Sequence, residues 1–173
     1  MNTTANKITL LRIILIPVFL VLAYLEKTWW ALGVYIVACI TDTVDGYIAR
    51  HCNQVTNFGK FMDPLADKML VLAAMVFFVE KGWMPGWTVA VVLLREFAVS
   101  GLRMIAVEQQ RVIAAAWSGK IKTTVTMIGL GVILVFGEIA VLRWIVIGLI
   151  LLTTVYSGAE YFIKNKDVFR DMK

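Results

Sequence analysis

Six long apolar segments run through the sequence, and they constrain the fold more than any other feature. Their approximate bounds are 8–26, 29–49, 61–79, 86–107, 119–137 and 139–163. A helix that crosses a hydrocarbon layer of ~30 Å needs about 20 apolar residues, because it rises ~1.5 Å per residue. The pattern therefore predicts an all-α integral membrane protein, with six transmembrane helices in a single domain over residues 1–173.

Composition indicates that lipid, rather than water, is the main solvent of this chain. Of the 173 residues, 60% are apolar and only 17% are charged, which lies outside the usual range of soluble domains. The net charge of +5 suits a membrane face that meets anionic headgroups. A nucleic acid partner is not needed to explain this charge, and none is expected.

The distribution of Lys and Arg predicts the orientation in the membrane, because these residues are retained on the cytoplasmic side. Short connections make neighbouring segments antiparallel. With the N-terminus in the cytoplasm, only Lys27, Lys81 and Arg143 of the 17 basic residues fall outside, and Arg95 lies within a segment. We therefore expect a multi-pass protein of the cytoplasmic membrane, with both termini and the connection near 50–60 in the cytoplasm.

Four of the six Asp residues lie within residues 42–68, where the second segment ends and the third begins. Asp42 and Asp45 are three residues apart, and Asp63 and Asp67 are four apart, so each pair shares one helix face. Carboxylates at the edge of a membrane are costly unless they are paired or bound to metal. Because a short connection joins the two helices, we expect the four carboxylates to converge just inside the cytoplasmic surface.

This carboxylate cluster predicts a divalent metal site. Four neighbouring like charges need a counter-charge, and oxygen ligands without His or Cys suit magnesium, manganese or calcium. Gly46 and Gly59 lie beside the pairs and allow close approach to the backbone. Interfacial salt bridges to Arg50, Lys60 and Lys68 are the alternative, but they explain neither the two glycines nor the helical spacing. Magnesium is the expected metal.

The acidic residues and their neighbours resemble the signature of the CDP-alcohol phosphotransferase family. All eight specified positions are present at the family spacing. They are Asp42, Asp45, Gly46, Ala49, Arg50, Gly59, Asp63 and Asp67. The resemblance extends over essentially the whole chain, and it implies a six-helix membrane domain that forms homodimers.

The resemblance also implies roles for these residues. Asp42, Asp45 and Asp63 would hold two divalent cations, Mg²⁺ or Mn²⁺, around the diphosphate of CDP-diacylglycerol. Asp67 would be a further metal ligand and the general base. The expected contacts to CDP-diacylglycerol within the signature come from Asp42, Gly46, Ala49, Arg50 and Gly59.

Three residues near the N-terminus resemble family positions that help to hold the cytidine diphosphate. They are Asn6, Thr9 and Arg12, and Ala5 stands where many members have Pro. Capping of the first helix is the alternative role for Asn6 and Thr9.

Acceptors in the family include glycerol 3-phosphate, inositol or its phosphate, serine, choline and phosphatidylglycerol, and the acidic site does not choose among them. Residues 93–110 and 117–124 resemble members that use glycerol 3-phosphate. A phosphorylated acceptor also needs cations near the acidic site. We expect these to be Arg103, Arg111, Lys120 and Lys122, although topology signalling is the alternative for the two lysines.

Arg95 and Glu96 lie near the middle of the fourth segment, where an unpaired charge is costly. A polar cavity is therefore expected to reach them. Two interpretations stay open, a structural ion-pair network and contact with the substrate.

Together these features predict an enzyme that transfers the phosphatidyl group of CDP-diacylglycerol to glycerol 3-phosphate, giving phosphatidylglycerophosphate and CMP. Metal ions would neutralise the diphosphate, and a carboxylate would take the proton of the attacking hydroxyl. Because the acyl chains of the donor stay in lipid, a lateral opening between helices is expected. The alternatives are inositol phosphate or phosphatidylglycerol as acceptor, and a divalent-cation transporter, whose site should lie nearer the membrane midplane.

Overall fold

The protein is all-helical in the part that the computed structural model describes, namely residues 4–51, 57–108, 113–114 and 116–167. Side chains are described for 8–41, 65–66, 68–107, 113–114 and 116–167. Six helices form from these residues, as predicted. They are α1 (Thr4–Tyr24), α2 (Thr28–His51), α3 (Asn57–Glu80), α4 (Gly86–Glu108), α5 (Trp117–Phe136) and α6 (Ala140–Lys164).

The helices extend beyond several of the predicted apolar boundaries. α1 and α3 each begin four residues earlier than predicted, at Thr4 and Asn57, and α2 continues to His51. A helix satisfies its own backbone hydrogen bonds, so it can continue through polar residues into the headgroup region. The acidic residues therefore lie within α2 and α3 rather than at their ends.

A buried apolar core joins all six helices, and its large side chains include Phe19, Phe78, Leu130 and Ile147. Large apolar side chains also cover the outside of the bundle, and several are more than 70% exposed. A soluble protein rarely exposes so much contiguous apolar surface. α5 and α6 are long and apolar enough to cross a membrane, and shorter apolar stretches occupy Ile8–Tyr24 and Thr28–Thr41.

At one end of the bundle, the α1–α2, α3–α4 and α5–α6 turns meet. Lys81 Nζ lies 3.0 Å from Glu26 Oε1, which joins the first two turns. Trp83 packs against Gly137 in the third turn, where a Cβ atom would overlap the indole ring. The antiparallel order places the opposite helix ends together, and the candidate functional residues lie at that opposite end.

Candidate active site

The two Asp pairs occupy matching levels on α2 and α3. Asp45 lies six residues before the end of α2 at His51, and Asp63 lies six residues after the start of α3 at Asn57. Asp42 and Asp67 lie nine and ten residues from the same helix ends. Since α2 and α3 are in contact and antiparallel, this backbone register is the one that a shared site requires.

The side chains of the signature lie outside the described side chains, and so does that of Asn6. Their roles as metal and nucleotide ligands stay predictions. Among the side chains that are described, no group of three or more His, Cys, Asp or Glu residues could hold a metal ion.

Thr9 and Arg12 of α1 are both buried, with 1% and 0% of their surface exposed. Because α1 already includes Thr4, neither Asn6 nor Thr9 is at the N-cap, and the capping alternative is wrong for both. An arginine that is buried inside a membrane helix bundle is costly and is generally functional. The role of Arg12 with the diphosphate stays a prediction.

A second polar cluster links α4, α5 and α6. Glu96 Oε1 accepts hydrogen bonds from Arg95 Nη1 and from Lys122 Nζ, both at 2.8 Å. Arg95 Nη2 donates to Ser157 Oγ at 2.5 Å. The side chains of Arg95 and Lys122 are only 10% and 5% exposed, so these charges are largely shielded from the surroundings. Of the two interpretations left open for Arg95 and Glu96, the ion-pair network is present, and contact with the substrate stays a prediction.

Tyr161 of α6 extends this cluster toward Arg103. Its hydroxyl oxygen accepts hydrogen bonds from Arg103 Nη2 at 2.7 Å and from the Ala116 backbone N–H at 2.9 Å. The guanidinium carbons of Arg95 and Arg103 lie 5.5 and 5.3 Å from the centre of its ring, which is within the range of cation–π attraction. One buried tyrosine thus joins two arginines and the start of α5.

The four predicted acceptor-binding cations do not share one environment. Lys122 is buried beside Glu96, and Arg103 is an exposed residue that is held by Tyr161. Lys120 is exposed on another face of α5, with its ammonium 4.9 Å from the centre of the Trp117 ring. Arg111 lies outside the described residues.

A narrow cleft of about 30 Å³ lies between the acidic helix α3 and this second cluster. Lys68, which follows Asp67 in sequence, lines it together with Glu96 and Lys122. Its remaining lining residues are Val71, Leu72, Met75, Val92, Leu93, Thr123 and Thr126. A cleft therefore reaches Glu96, but half of its lining residues are apolar and Arg95 is not among them, so the polar cavity predicted for both residues is found only in part.

Known proteins match nearly the whole length of this chain. A family model described as CDP-alcohol phosphatidyltransferase matches residues 2–156. This chain belongs to that family. A Bacillus subtilis CDP-diacylglycerol–glycerol-3-phosphate 3-phosphatidyltransferase is 40% identical over 191 aligned residues, covering 95% of this chain and 96% of the relative.

Two further relatives of this CDP-alcohol phosphatidyltransferase come from other bacteria. The Escherichia coli (strain K12) protein named CDP-diacylglycerol–glycerol-3-phosphate 3-phosphatidyltransferase is 42% identical over 130 residues, which is 71% of each chain. A Mycobacterium tuberculosis (strain H37Rv) protein named "Probable phosphatidylglycerophosphate synthase" is 38% identical over 91% of this chain and 78% of its own length. Family membership and the apolar helices identify the chain as a membrane protein.

Ser157 and Tyr161 of this family member were not predicted from the sequence as parts of a site. Both belong to α6, which is otherwise strongly apolar, and both are buried together with Thr154. The three residues follow helical spacing, so they lie on one face. A polar stripe in an apolar membrane helix was the available signal, since such residues usually face the interior of the bundle.

Proposed function

We propose that the protein transfers the phosphatidyl group of CDP-diacylglycerol to sn-glycerol 3-phosphate, giving phosphatidylglycerophosphate and CMP in phospholipid biosynthesis. The observation that carries this proposal is the polar cluster of α4, α5 and α6, in which Arg95 and Lys122 bind the carboxylate of Glu96 and Arg103 binds Tyr161. Such a cluster has surplus positive charge, which suits an acceptor with a phosphate group. The names of the relatives support the same acceptor.

The residues predicted for the metal site fit a pair of divalent ions. Asp42, Asp45, Asp63 and Asp67 supply only hard oxygen ligands, and their backbone levels match on two antiparallel helices. They would hold two Mg²⁺ or Mn²⁺ ions, which when bound neutralise the diphosphate and stabilise the departing CMP.

The reaction that follows from this arrangement is a single displacement at phosphorus. The acceptor hydroxyl oxygen bonds to the phosphorus that carries the diacylglycerol, and the bond from that phosphorus to the oxygen of CMP breaks. Asp67 takes the hydroxyl proton as general base. Arg12 and Thr9, with Asn6, hold the nucleotide, and Gly46, Ala49, Arg50 and Gly59 complete its contacts.

A release assay for CMP tests the function directly. Purified protein in detergent receives CDP-diacylglycerol, magnesium and one acceptor at a time, namely glycerol 3-phosphate, inositol phosphate, phosphatidylglycerol or glycerol. We expect CMP release chiefly with glycerol 3-phosphate, while plain glycerol is a poor acceptor because it lacks the phosphate. Preference for another acceptor would replace glycerol 3-phosphate in the proposal, and no release with any acceptor would contradict the enzyme class.

A divalent-cation transporter fits these observations less well. Asp45 and Asp63 each lie six residues, which is less than two turns, from the ends of α2 and α3, whereas transporter sites usually lie near the midplane. Both termini and the active site are placed in the cytoplasm by the proposed topology, with the Glu26–Lys81 end outside. We also propose a homodimer, which the mass of the detergent-solubilised protein would test.

Neutralising any of the four predicted acceptor-binding cations should selectively weaken binding of the acceptor. For Lys122→Gln and Arg103→Gln we expect the KM for glycerol 3-phosphate to rise about tenfold or more, because charge-assisted bonds to phosphate are about twice as strong as neutral ones. The KM for CDP-diacylglycerol should change much less. Lys120→Gln and Arg111→Gln carry the same prediction, and initial-rate kinetics measures all four.

The matched control for these variants is Lys166→Gln, which removes the same charge from an exposed position beyond α6. Its kinetics should equal those of the wild type. If the KM for glycerol 3-phosphate were unchanged in all four test variants, these cations would have a role in membrane topology only.

We propose that an apolar groove between α2 and α5 is the lateral opening for the lipid substrate. Ile40 lines it two residues before Asp42, and Gly131 lies farther along, where a Cβ atom would meet Tyr35 and Leu32 at 3.7 and 3.9 Å. The groove therefore starts at the level of the proposed metal site and runs toward the opposite end of the bundle. We propose that an acyl chain of CDP-diacylglycerol lies in it.

Filling this groove should impair use of the lipid donor. Overpacking costs ~1–3 kcal/mol, so we expect Gly131→Phe to raise the KM for CDP-diacylglycerol about fivefold or more and to leave that for glycerol 3-phosphate almost unchanged. Gly148→Phe is the control, because Gly148 is an exposed position of α6 where an added Cβ atom would meet no other atom within 4 Å. If the two substitutions changed the KM for CDP-diacylglycerol equally, the proposal that an acyl chain lies in the groove would be wrong.

A further inference from the structure

Tyr161 stands out because its hydroxyl group connects three helical elements at one point. The residue belongs to α6 and is 2% exposed, yet its oxygen accepts hydrogen bonds from α4 and from the residue that precedes α5. A tyrosine oxygen has two acceptor positions, so these two bonds use both. We propose that Tyr161 is a positioning residue for the acceptor-binding cations. This inference rests on the proposed function.

The placement of Arg103 depends on this tyrosine. The arginine side chain is exposed, and a free arginine would lose much rotamer entropy on binding a phosphate. Tyr161 holds one guanidinium nitrogen at 2.7 Å and faces the group with its ring, at 5.3 Å from the ring centre. The other guanidinium N–H groups remain for a phosphate, since the fork carries five donors. Tyr161 therefore pre-organises Arg103.

The start of α5 depends on Tyr161 as well, because the N-cap residue Ala116 provides no side-chain cap. The Ala116 N–H donates instead to Tyr161, and the Ala116 carbonyl oxygen accepts from the N–H groups of Gly119 and Lys120. Lys122 follows Ala116 by six residues on the same helix. By fixing the first turn of α5, Tyr161 also fixes the level of Lys122 beside the cleft.

Close packing against Gly119 holds the tyrosine ring in place. A Cβ atom at Gly119 would lie 3.3 Å from both Cε2 and the hydroxyl oxygen of Tyr161. Few real side chains pack so tightly, so the α5 backbone rests directly on the ring. Gly158 similarly leaves space for the side chain of Arg95, where a Cβ would come within 3.2 Å of Cγ.

The test compares Tyr161→Phe with Tyr35→Phe in the CMP-release assay. Tyr35 is also buried, and its hydroxyl group donates to the Met127 carbonyl at 3.0 Å, between α2 and α5. Both variants thus lose a buried hydroxyl that links two helices, and similar losses of thermal stability are expected. Only Tyr161→Phe should raise the KM for glycerol 3-phosphate, by about five- to tenfold, with the KM for CDP-diacylglycerol unchanged.

A double variant distinguishes positioning from a separate contribution to binding. If Tyr161 acts through Arg103, Tyr161→Phe should add less to the KM in the Arg103→Gln background than it does alone. The inference is overturned if the effects of Tyr161→Phe and Arg103→Gln on the KM are fully additive. It is also overturned if Tyr161→Phe has the same KM for glycerol 3-phosphate as Tyr35→Phe. If Tyr161→Phe does not fold, Gly119→Ala displaces the ring but keeps the hydroxyl group, and an unchanged KM there overturns it equally. A wild-type protein that releases no CMP overturns the proposed function first, before any variant is compared.

Discussion

Asp42→Asn, Asp45→Asn and Asp63→Asn should each abolish CMP release while the protein stays folded. Each substitution keeps the size of the side chain but removes a negative charge and an anionic oxygen ligand, so the divalent ions that neutralise the diphosphate are lost. A chelator should have the same effect on the wild type, and added magnesium should reverse it. The measurements are CMP release and the thermal midpoint of the detergent-solubilised protein.

The control is Asp167→Asn, which makes the same chemical change at an exposed position beyond α6 and should retain full activity. Near-normal turnover in chelator, or in any of the three test variants, would contradict the metal assignment. A loss of activity that simply followed a loss of the folded protein would show these carboxylates to be structural instead.

Asp67→Asn should reduce the rate by about 10²–10⁴-fold, because this is the usual cost of losing a general base. Binding of CDP-diacylglycerol should be largely retained, since the three other carboxylates still hold metal. Single-turnover experiments measure the rate of the chemical step, and equilibrium binding in the presence of magnesium measures the affinity for CDP-diacylglycerol. Equal losses of binding and rate would make Asp67 a metal ligand rather than the base.

The sequence predicted the backbone levels of the acidic residues better than the surroundings of the acceptor cations. The Asp pairs lie on two helices that adjoin in sequence, so local spacing and one short connection were enough to place them at matching levels. The acceptor cations come from helices whose contacts are not local. Lys122 meets Glu96 across 26 positions, and Arg103 meets Tyr161 across 58. No periodicity within one helix specifies such partners.

Lys120 and Lys122 illustrate this limit well. They are two residues apart, carry the same charge and were predicted for the same role. In the structure one is buried against Glu96, and the other is exposed over Trp117, because residues two apart on a helix face different directions. The helical period indicates that they diverge, but only the packing of α5 against its neighbours decides which of them faces the interior.

The sequence by itself determined that the chain is a membrane protein, how many helices it forms and how far along α2 and α3 the acidic residues lie. Each of these follows from hydrophobic length and local spacing. Tertiary structure alone decided how the cations are held. The hydroxyl of Tyr161 reaches Arg103 and Ala116 because α6 packs beside α4 and α5, and the glycine at 119 lets the α5 backbone approach the ring. Burial makes these contacts necessary, because a charge or polar group enclosed in the bundle needs a partner, and packing selects which partner it finds.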